Sequence, residues 1–218
     1  TACTLTVNAL SSAFGVTFPS SSPAACDDSG DVLIKACSSG YAGTTKALQF
    51  WFNYTDPATT ADATRVLQLS KDAWATSTNL ATTSPSSTSS PAPVSVSFDA
   101  TATAKVRVKY ADVGKLTLNL RDSAATSVTG SGTLIVRPAN FVVTAVTDNS
   151  ATPVANPAAA DATGAKFVAA GTPFKVTVEA RNNCSTPVAV KNFGRESTPE
   201  GVKLDKALEA TPELTTEE

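Results

Sequence analysis

Strict alternation of apolar and polar residues over runs of five to eight positions constrains this chain more than any other feature. Leu5, Val7 and Ala9 alternate with Thr4, Thr6 and Asn8, and Leu48, Phe50 and Phe52 with Gln49, Trp51 and Asn53. Val94, Val96 and Phe98 alternate with serines, and Val106, Val108 and Tyr110 with Lys105, Arg107 and Lys109. Leu116, Leu118 and Leu120 follow the same rule, as do Phe174, Val176 and Val178. A period of two puts every second side chain on one face of a strand, so each run predicts a strand with one apolar face and one wet face. Short apolar runs at Val32–Ile34, Val66–Leu69, Leu134–Val136 and Phe141–Val146 add further strands, whereas helical periodicity is nearly absent. Breakers separate the runs: Asp27-Asp28-Ser29-Gly30, Asp56-Pro57, Asp112-Val113-Gly114 and Gly130-Ser131-Gly132. Short strands at this spacing predict an all-β chain built of antiparallel immunoglobulin-like β-sandwich domains. Phe50, Phe98, Val108, Leu118, Phe141 and Val176 are the expected core positions.

Two segments interrupt the rhythm. Residues 76–93 are rich in Ser, Thr and Pro with almost nothing to bury, and are read as a long mobile loop or a carrier of O-linked glycans. At Arg137-Pro138-Ala139-Asn140 one series of strands ends and another begins. The expected organisation is a first β-sandwich domain over residues 1–137, holding the 76–93 insert, and a second immunoglobulin-like domain over 138–218. The second has few strands after Val178 and is expected to be incomplete, so the chain reads as a segment of a longer protein.

Composition enters mainly by exclusion. Among 218 residues there is no histidine, which removes Ser-His-Asp and Cys-His catalysis and histidine-ligated zinc or haem. A net charge of −2 gives no basic footprint for nucleic acid, and no run approaches the roughly 20 apolar residues of a membrane-spanning helix. Cys3, Cys26, Cys37 and Cys184 form no C-x-x-C pair, which argues for disulfides over metal or redox motifs. Three connectivities are open. Cys26 and Cys37 flank one predicted strand, so a local bridge between them is preferred, with Cys3 and Cys184 joined across the domains or free. A Ser/Thr/Ala-rich chain with few charges and disulfide candidates is expected outside the cytosol.

Three constellations bear on function. In Tyr110-Ala111-Asp112-Val113-Gly114, the glycine suits a positive φ, Asp112 can accept from the amides of its own turn, and the Tyr110 hydroxyl can tie to nearby backbone; this is a structural turn. Asp27, Asp28 and Asp31 form an acidic turn that lacks the spaced ligands of a calcium loop, and no metal is assigned. Trp51, on the face opposite Phe50 and Phe52 with Gln49 and Asn53, is expected to lie outside; it and Trp74 are either covered by the Ser/Thr-rich segment or are candidates to contact a partner or stack on a glycan. The sequons at Asn53 and Asn183 are attributed to chance, and no motif assigns a catalytic residue or a cofactor.

CDDSGDVLIKAC (Cys26–Cys37), YADVGKL (Tyr110–Leu116), RPANFVVTAV (Arg137–Val146), AAGTPFKVTVEARNN (Ala169–Asn183) and NFGRESTPEGVKL (Asn192–Leu204) together resemble, in order, the bacterial surface proteins typified by the mannose-sensitive haemagglutinin pilus biogenesis protein MshQ. The family often has a further cysteine just after the position of Cys37, where this chain has Ser38-Ser39-Gly40-Tyr41. The resemblance implies an exported Gram-negative protein, linked to type IV pili or cell-surface adhesion and built of β-domains, with no catalytic residues to carry over. The expectation is therefore a non-enzymatic extracellular module that adheres, or assembles with other chains of a surface structure or with copies of itself by completing sheets. The alternative is a carbohydrate-binding domain using Trp51 or Trp74; a secreted hydrolase is the third class.

Overall fold

The computed structural model describes residues 14–204 apart from residues 88 and 162, so the Leu5–Ala9 run and Cys3 lie outside the described residues. Eleven strands follow in chain order: β1 (Phe14–Thr17), β2 (Val32–Ala36), β3 (Thr45–Asp56), β4 (Leu67–Ser70), β5 (Thr78–Asn79), β6 (Val94–Ser97), β7 (Thr103–Tyr110), β8 (Gly114–Asp122), β9 (Thr129–Val136), β10 (Asn140–Asp148) and β11 (Phe174–Arg181). The fold is all-β, as the alternation predicts. Among the described residues the only helical element is a single 3₁₀ turn at Ser39–Tyr41, and no helix is long and apolar enough to cross a membrane.

β1 to β9 form one sheet in the order β5-β4-β7-β2-β1-β9-β8-β3-β6. β6 and β7 are consecutive in sequence, joined by a tight turn in which the Asp99 amide donates to Thr103 O, yet they lie in opposite halves of the sheet. The sheet is therefore curled on itself, and the core lies between its halves. Phe50, Phe52, Leu116, Leu118 and Leu120 face that core from one half, and Ile34, Leu67, Leu69, Val106, Val108 and Tyr110 from the other, all nearly solvent-free. At about 1.5–3 kcal/mol for each large apolar side chain removed from water, this layer is the main source of stability.

β1, which lies outside the runs named above, joins the two halves. It pairs antiparallel with β2 (Phe14↔Ala36) and parallel with β9 (Phe14↔Gly130). A Cβ on Gly130 would sit 2.5 Å from the Phe14 carbonyl oxygen, so the close approach needs glycine there. The Phe14 ring packs on Tyr41 and Phe98, at centroid distances of 5.2 and 6.2 Å. The Tyr41 hydroxyl in turn donates to the buried Asp122 carboxylate at 2.7 Å.

Residues 76–93 are not a loop that stands clear of the fold. Thr78–Asn79 pairs with β4 as β5, Leu80 enters the core, and Ala81 bridges Trp51 of β3. Gln49, expected outside, is fully buried: its Nε2 donates to the carbonyls of Ser87 and Pro91, each at 2.9 Å, and its Oε1 accepts from Arg121 Nε at 2.8 Å. A Ser/Pro-rich segment has few side chains to bury, but its free carbonyls can satisfy a buried amide.

β10 and β11 form a separate two-stranded sheet with a bulge at Thr144. Phe141 and Val176 belong to it, and here the predicted core is corrected. Phe141 is 48% exposed and Val176 half-buried, because among the described residues no second layer of strands covers this sheet. Val188–Val190 forms only an isolated bridge to Arg181, and Val202–Leu204 forms no strand.

Candidate functional site

The densest set of buried polar groups lies where the segment after β11, residues 182–197, folds back onto the large sheet. The receiving surface is the turn between β7 and β8. Gly114 opens β8 at φ +129, and a Cβ there would meet the Asp56 carbonyl oxygen at 2.7 Å, so this turn closes against the end of β3 only with glycine. The turn holds Asp112 inward without solvent contact. Its Oδ1 accepts from Val113 N at 2.8 Å, and also from Lys191 N at 3.0 Å and Asn192 N at 3.1 Å. The expectation that Asp112 caps its own turn thus covers one of its partners; the other two arrive from 79 and 80 residues downstream.

Tyr110 differs in the same way. Its hydroxyl does not tie to nearby backbone but accepts from Asn192 Nδ2 at 3.0 Å, and its ring packs 6.4 Å, centroid to centroid, from that of Tyr54, whose own hydroxyl donates to Arg65 O at 2.7 Å. Burial, then the neighbouring Tyr54 and the Asp112 charge, push the Tyr110 hydroxyl well above its ordinary pKa, so it stays neutral. Asn192 is itself solvent-free and is satisfied on both sides, since its Oδ1 accepts from Asp62 N at 2.7 Å. Asn182, also solvent-free, donates to Ala111 O at 3.0 Å and accepts from Val188 N at 2.9 Å.

Ion pairs and exposed contacts surround this centre. Lys191 Nζ lies 3.0 Å from Asp62. The Thr64 hydroxyl and amide, then Lys191, hold the Asp62 carboxyl well below the usual carboxylate range. Arg195 and Thr60 exchange hydrogen bonds, and Asp56 accepts from Ser197 N at 2.7 Å and Ser197 Oγ at 2.9 Å. Phe193 stacks edge-on against Phe141 of β10 at 5.3 Å. With Val113, Ile135 and Pro138 these rings line an apolar cleft of about 380 Å³ at the seam between the sheets.

A disulfide between Cys26 and Cys184, with Cα atoms 5.1 Å apart, closes the other end of the contact. The preferred local Cys26–Cys37 bridge is therefore corrected, as is any Cys3–Cys184 pairing. The reason is the extension of β2. Cys26 N donates to Tyr110 O at one end of β7, whereas Ala36 N donates to Ala102 O just before its other end. At about 3.3 Å per residue, the strand carries Cys37 away from Cys26. Cys37 is exposed and unbridged among the described residues. Cys26 holds φ +74, a left-handed conformation uncommon for a side chain with a Cβ, and is held there by its hydrogen bond to Tyr110 and by the bond to Cys184. Next to it, Asn183 N donates to Ala25 O and Asn183 Nδ2 to Asp27 Oδ1, both at 2.8 Å.

The remaining singled-out residues sit elsewhere. Asp28 and Asp31 bind Arg107 at 3.0 and 2.9 Å, and Asp31 also binds Lys105 at 3.0 Å. Trp74 donates Nε1 to Asp28 at 2.7 Å, and Lys109 Nζ lies 4.2 Å from its ring centroid. Trp51 is half-buried beside the docked insert. The two tryptophans are not brought together with the Tyr110–Asp112 turn. Asn182, Asn192, Asp62 and Gln49 were not singled out as site residues. The phrases RNNC and NFGRE were visible, but nothing local in them shows that an asparagine is buried.

No curated protein and no solved structure is detectably similar to this chain. Residues 2–134 match the first Ig-like domain of DUF6701, a domain of unknown function, and residues 137–217 match the second domain of the same group. An immunoglobulin-like first domain agrees with the curled, mostly antiparallel sheet, and the chain belongs to the DUF6701 family.

Proposed function

We propose that the chain is a non-enzymatic module of an exported bacterial surface protein, serving as a rigid structural and adhesive element of a cell-surface or type IV pilus-associated assembly. The observation that carries this reading is the Cys26–Cys184 bond beside the buried Asp112–Asn192 contact, which fastens the segment after β11 to the large sheet covalently and through desolvated hydrogen bonds. A rigid connection between successive β-units is what a spacer under tension needs, and stable disulfides belong to oxidising compartments outside the cytosol. The ordered resemblance to MshQ-like proteins supports the pilus and adhesion part of the reading. Carbohydrate recognition by the tryptophans is less well supported, because Asp28 and Lys109 already engage Trp74 and the insert flanks Trp51.

The test is made in the Gram-negative bacterium that encodes the chain. A cell-impermeant biotin reagent is expected to label the protein on intact cells, and deletion of its gene to reduce adherence or piliation. Retention in the cytosol, or adherence and piliation unchanged on deletion, overturns the reading.

A further inference from the structure

β11 is paired along its length on one side only, with β10. On its other side a single bridge, Arg181↔Ala189, closes the last residues, with Asn182 N donating to Val188 O and Val190 N to Ala180 O. These bonds fix the phase of the strand: its even-numbered residues aim their backbone groups away from β10. The N–H and C=O groups of Val176 and Val178 therefore lie on a free edge, and no strand among the described residues pairs with them. An edge of this kind is a template for another strand. The sheet behind it needs one, since two strands alone are marginally stable and this pair leaves Phe141, Val143 and Phe174 48–53% exposed.

We infer that this edge pairs with β11 of a second copy of the chain, antiparallel about a two-fold axis at Thr177. The charges along the strand select both the occupant and the register. Lys175, Thr177 and Glu179 share one face of the strand, and Lys175 forms no salt bridge among the described residues. With Thr177 opposite its own copy, Lys175 of each strand stands opposite Glu179 of the other, and Val176 opposite Val178. The paired valines are the residues whose backbone groups are free to exchange hydrogen bonds. Sliding the register by two residues one way puts Lys175 opposite Arg181, a like-charge pair that is unfavourable; the other way leaves Lys175 opposite Thr177. Shifts by one residue bring an inward-facing amide against an outward-facing one. The symmetric contact closes on itself, and it stops where Val190 N already occupies the Ala180 carbonyl. This inference deepens the assembly reading above and rests on it, naming the edge and the partner.

The test uses the full chain with Cys3→Ser and Cys37→Ser, which leaves the Cys26–Cys184 bond in place. In an antiparallel ladder the Thr177 pair is of the non-hydrogen-bonded kind, with Cα atoms about 4.5 Å apart, a distance a disulfide spans. With oxidised glutathione as oxidant, Thr177→Cys is expected to give a disulfide-linked dimer on non-reducing gels, while the exposed control Thr133→Cys stays monomeric. Lys175→Glu and Glu179→Lys, each added alone, are expected to slow the cross-link by roughly three- to tenfold, and an equimolar mixture of the two to restore it as a heterodimer. Concentration-dependent self-association without preferential Thr177→Cys cross-linking overturns the inference and leaves the assembly reading standing. A chain that sediments as a monomer at every concentration also overturns it, while surface labelling and adherence decide the broader reading independently.

Discussion

The side-chain amide of Asn192 donates to the hydroxyl of Tyr110 at 3.0 Å, and neither residue keeps more than a trace of solvent exposure. The two are 82 positions apart in sequence, and their contact joins the segment after β11 to the last residue of β7. Breaking it exposes no new surface to water, so both partners are left short of a hydrogen bond.

Asn192→Ala is accordingly expected to lower the stability of the whole chain by about 1–3 kcal/mol, the cost of an unsatisfied buried group. Tyr110→Phe in the same background is expected to cost less than it does alone, because the bond is already gone. Urea denaturation of the two single variants and the double variant gives the coupling; strict additivity would remove Asn192–Tyr110 as an energetic link.

The disulfide yields a contrast between cysteines. Cys184→Ser opens a crosslink spanning 158 residues and is expected to cost about 2–4 kcal/mol, whereas Cys37→Ser, at an exposed site, is expected to change stability by less than about 0.5 kcal/mol. Thermal melts of the two variants, with peptide mapping of the linked Cys26 and Cys184 fragments, check both statements.

Asp62 makes the contact sensitive to acid. Its native pKa is depressed by Thr64 and then by Lys191, so its contribution is fully present above the ordinary Asp value of about 3.9 and is lost as pH falls through the lower native value. The melting temperature is expected to show no change from this group at neutral pH and a decline below about pH 4. Asp62→Asn is expected to flatten that decline, and melts of the two proteins between neutral pH and pH 2 measure the difference.

Gln49 anchors the Ser/Thr/Pro segment. Gln49→Ala removes both bonds to the Ser87 and Pro91 carbonyls and deprives Arg121 of a partner. A loss of about 1–3 kcal/mol is expected, together with faster cleavage within residues 81–91 by a low-specificity protease. Unchanged cleavage of the variant would show that the segment is held by other contacts.

The strands were legible because alternation is a local property: a side chain's face follows from its position in the run, whatever the strand pairs with. Nine of the eleven strands arise from runs visible in the sequence, Val32–Ile34 in β2 and Leu116–Leu120 in β8 among them. β5 was missed because the two residues Thr78–Asn79 carry no period, whereas β1, as long as β4 and β6, was missed although Phe14 and Val16 alternate with Gly15 and Thr17. Gly114 was also legible, since a positive φ at a turn is a demand on one residue.

What the sequence by itself determined is the class of fold, the spacing of its turns and the exclusion of histidine chemistry. The tertiary structure alone decided the partner of Cys26, the burial of Gln49 and the meeting of Asp112 and Tyr110 with Asn192. The physical reason is range. A strand's face depends on its neighbours in the chain, whereas a disulfide or a buried amide depends on groups that meet only after the sheet has curled and the segment beyond β11 has folded back onto it. Asparagine and glutamine read as surface residues until a carbonyl, a hydroxyl and a backbone amide are brought around them, and here the Ser87 carbonyl, the Tyr110 hydroxyl and the Asp62 amide come from 38, 82 and 130 residues away.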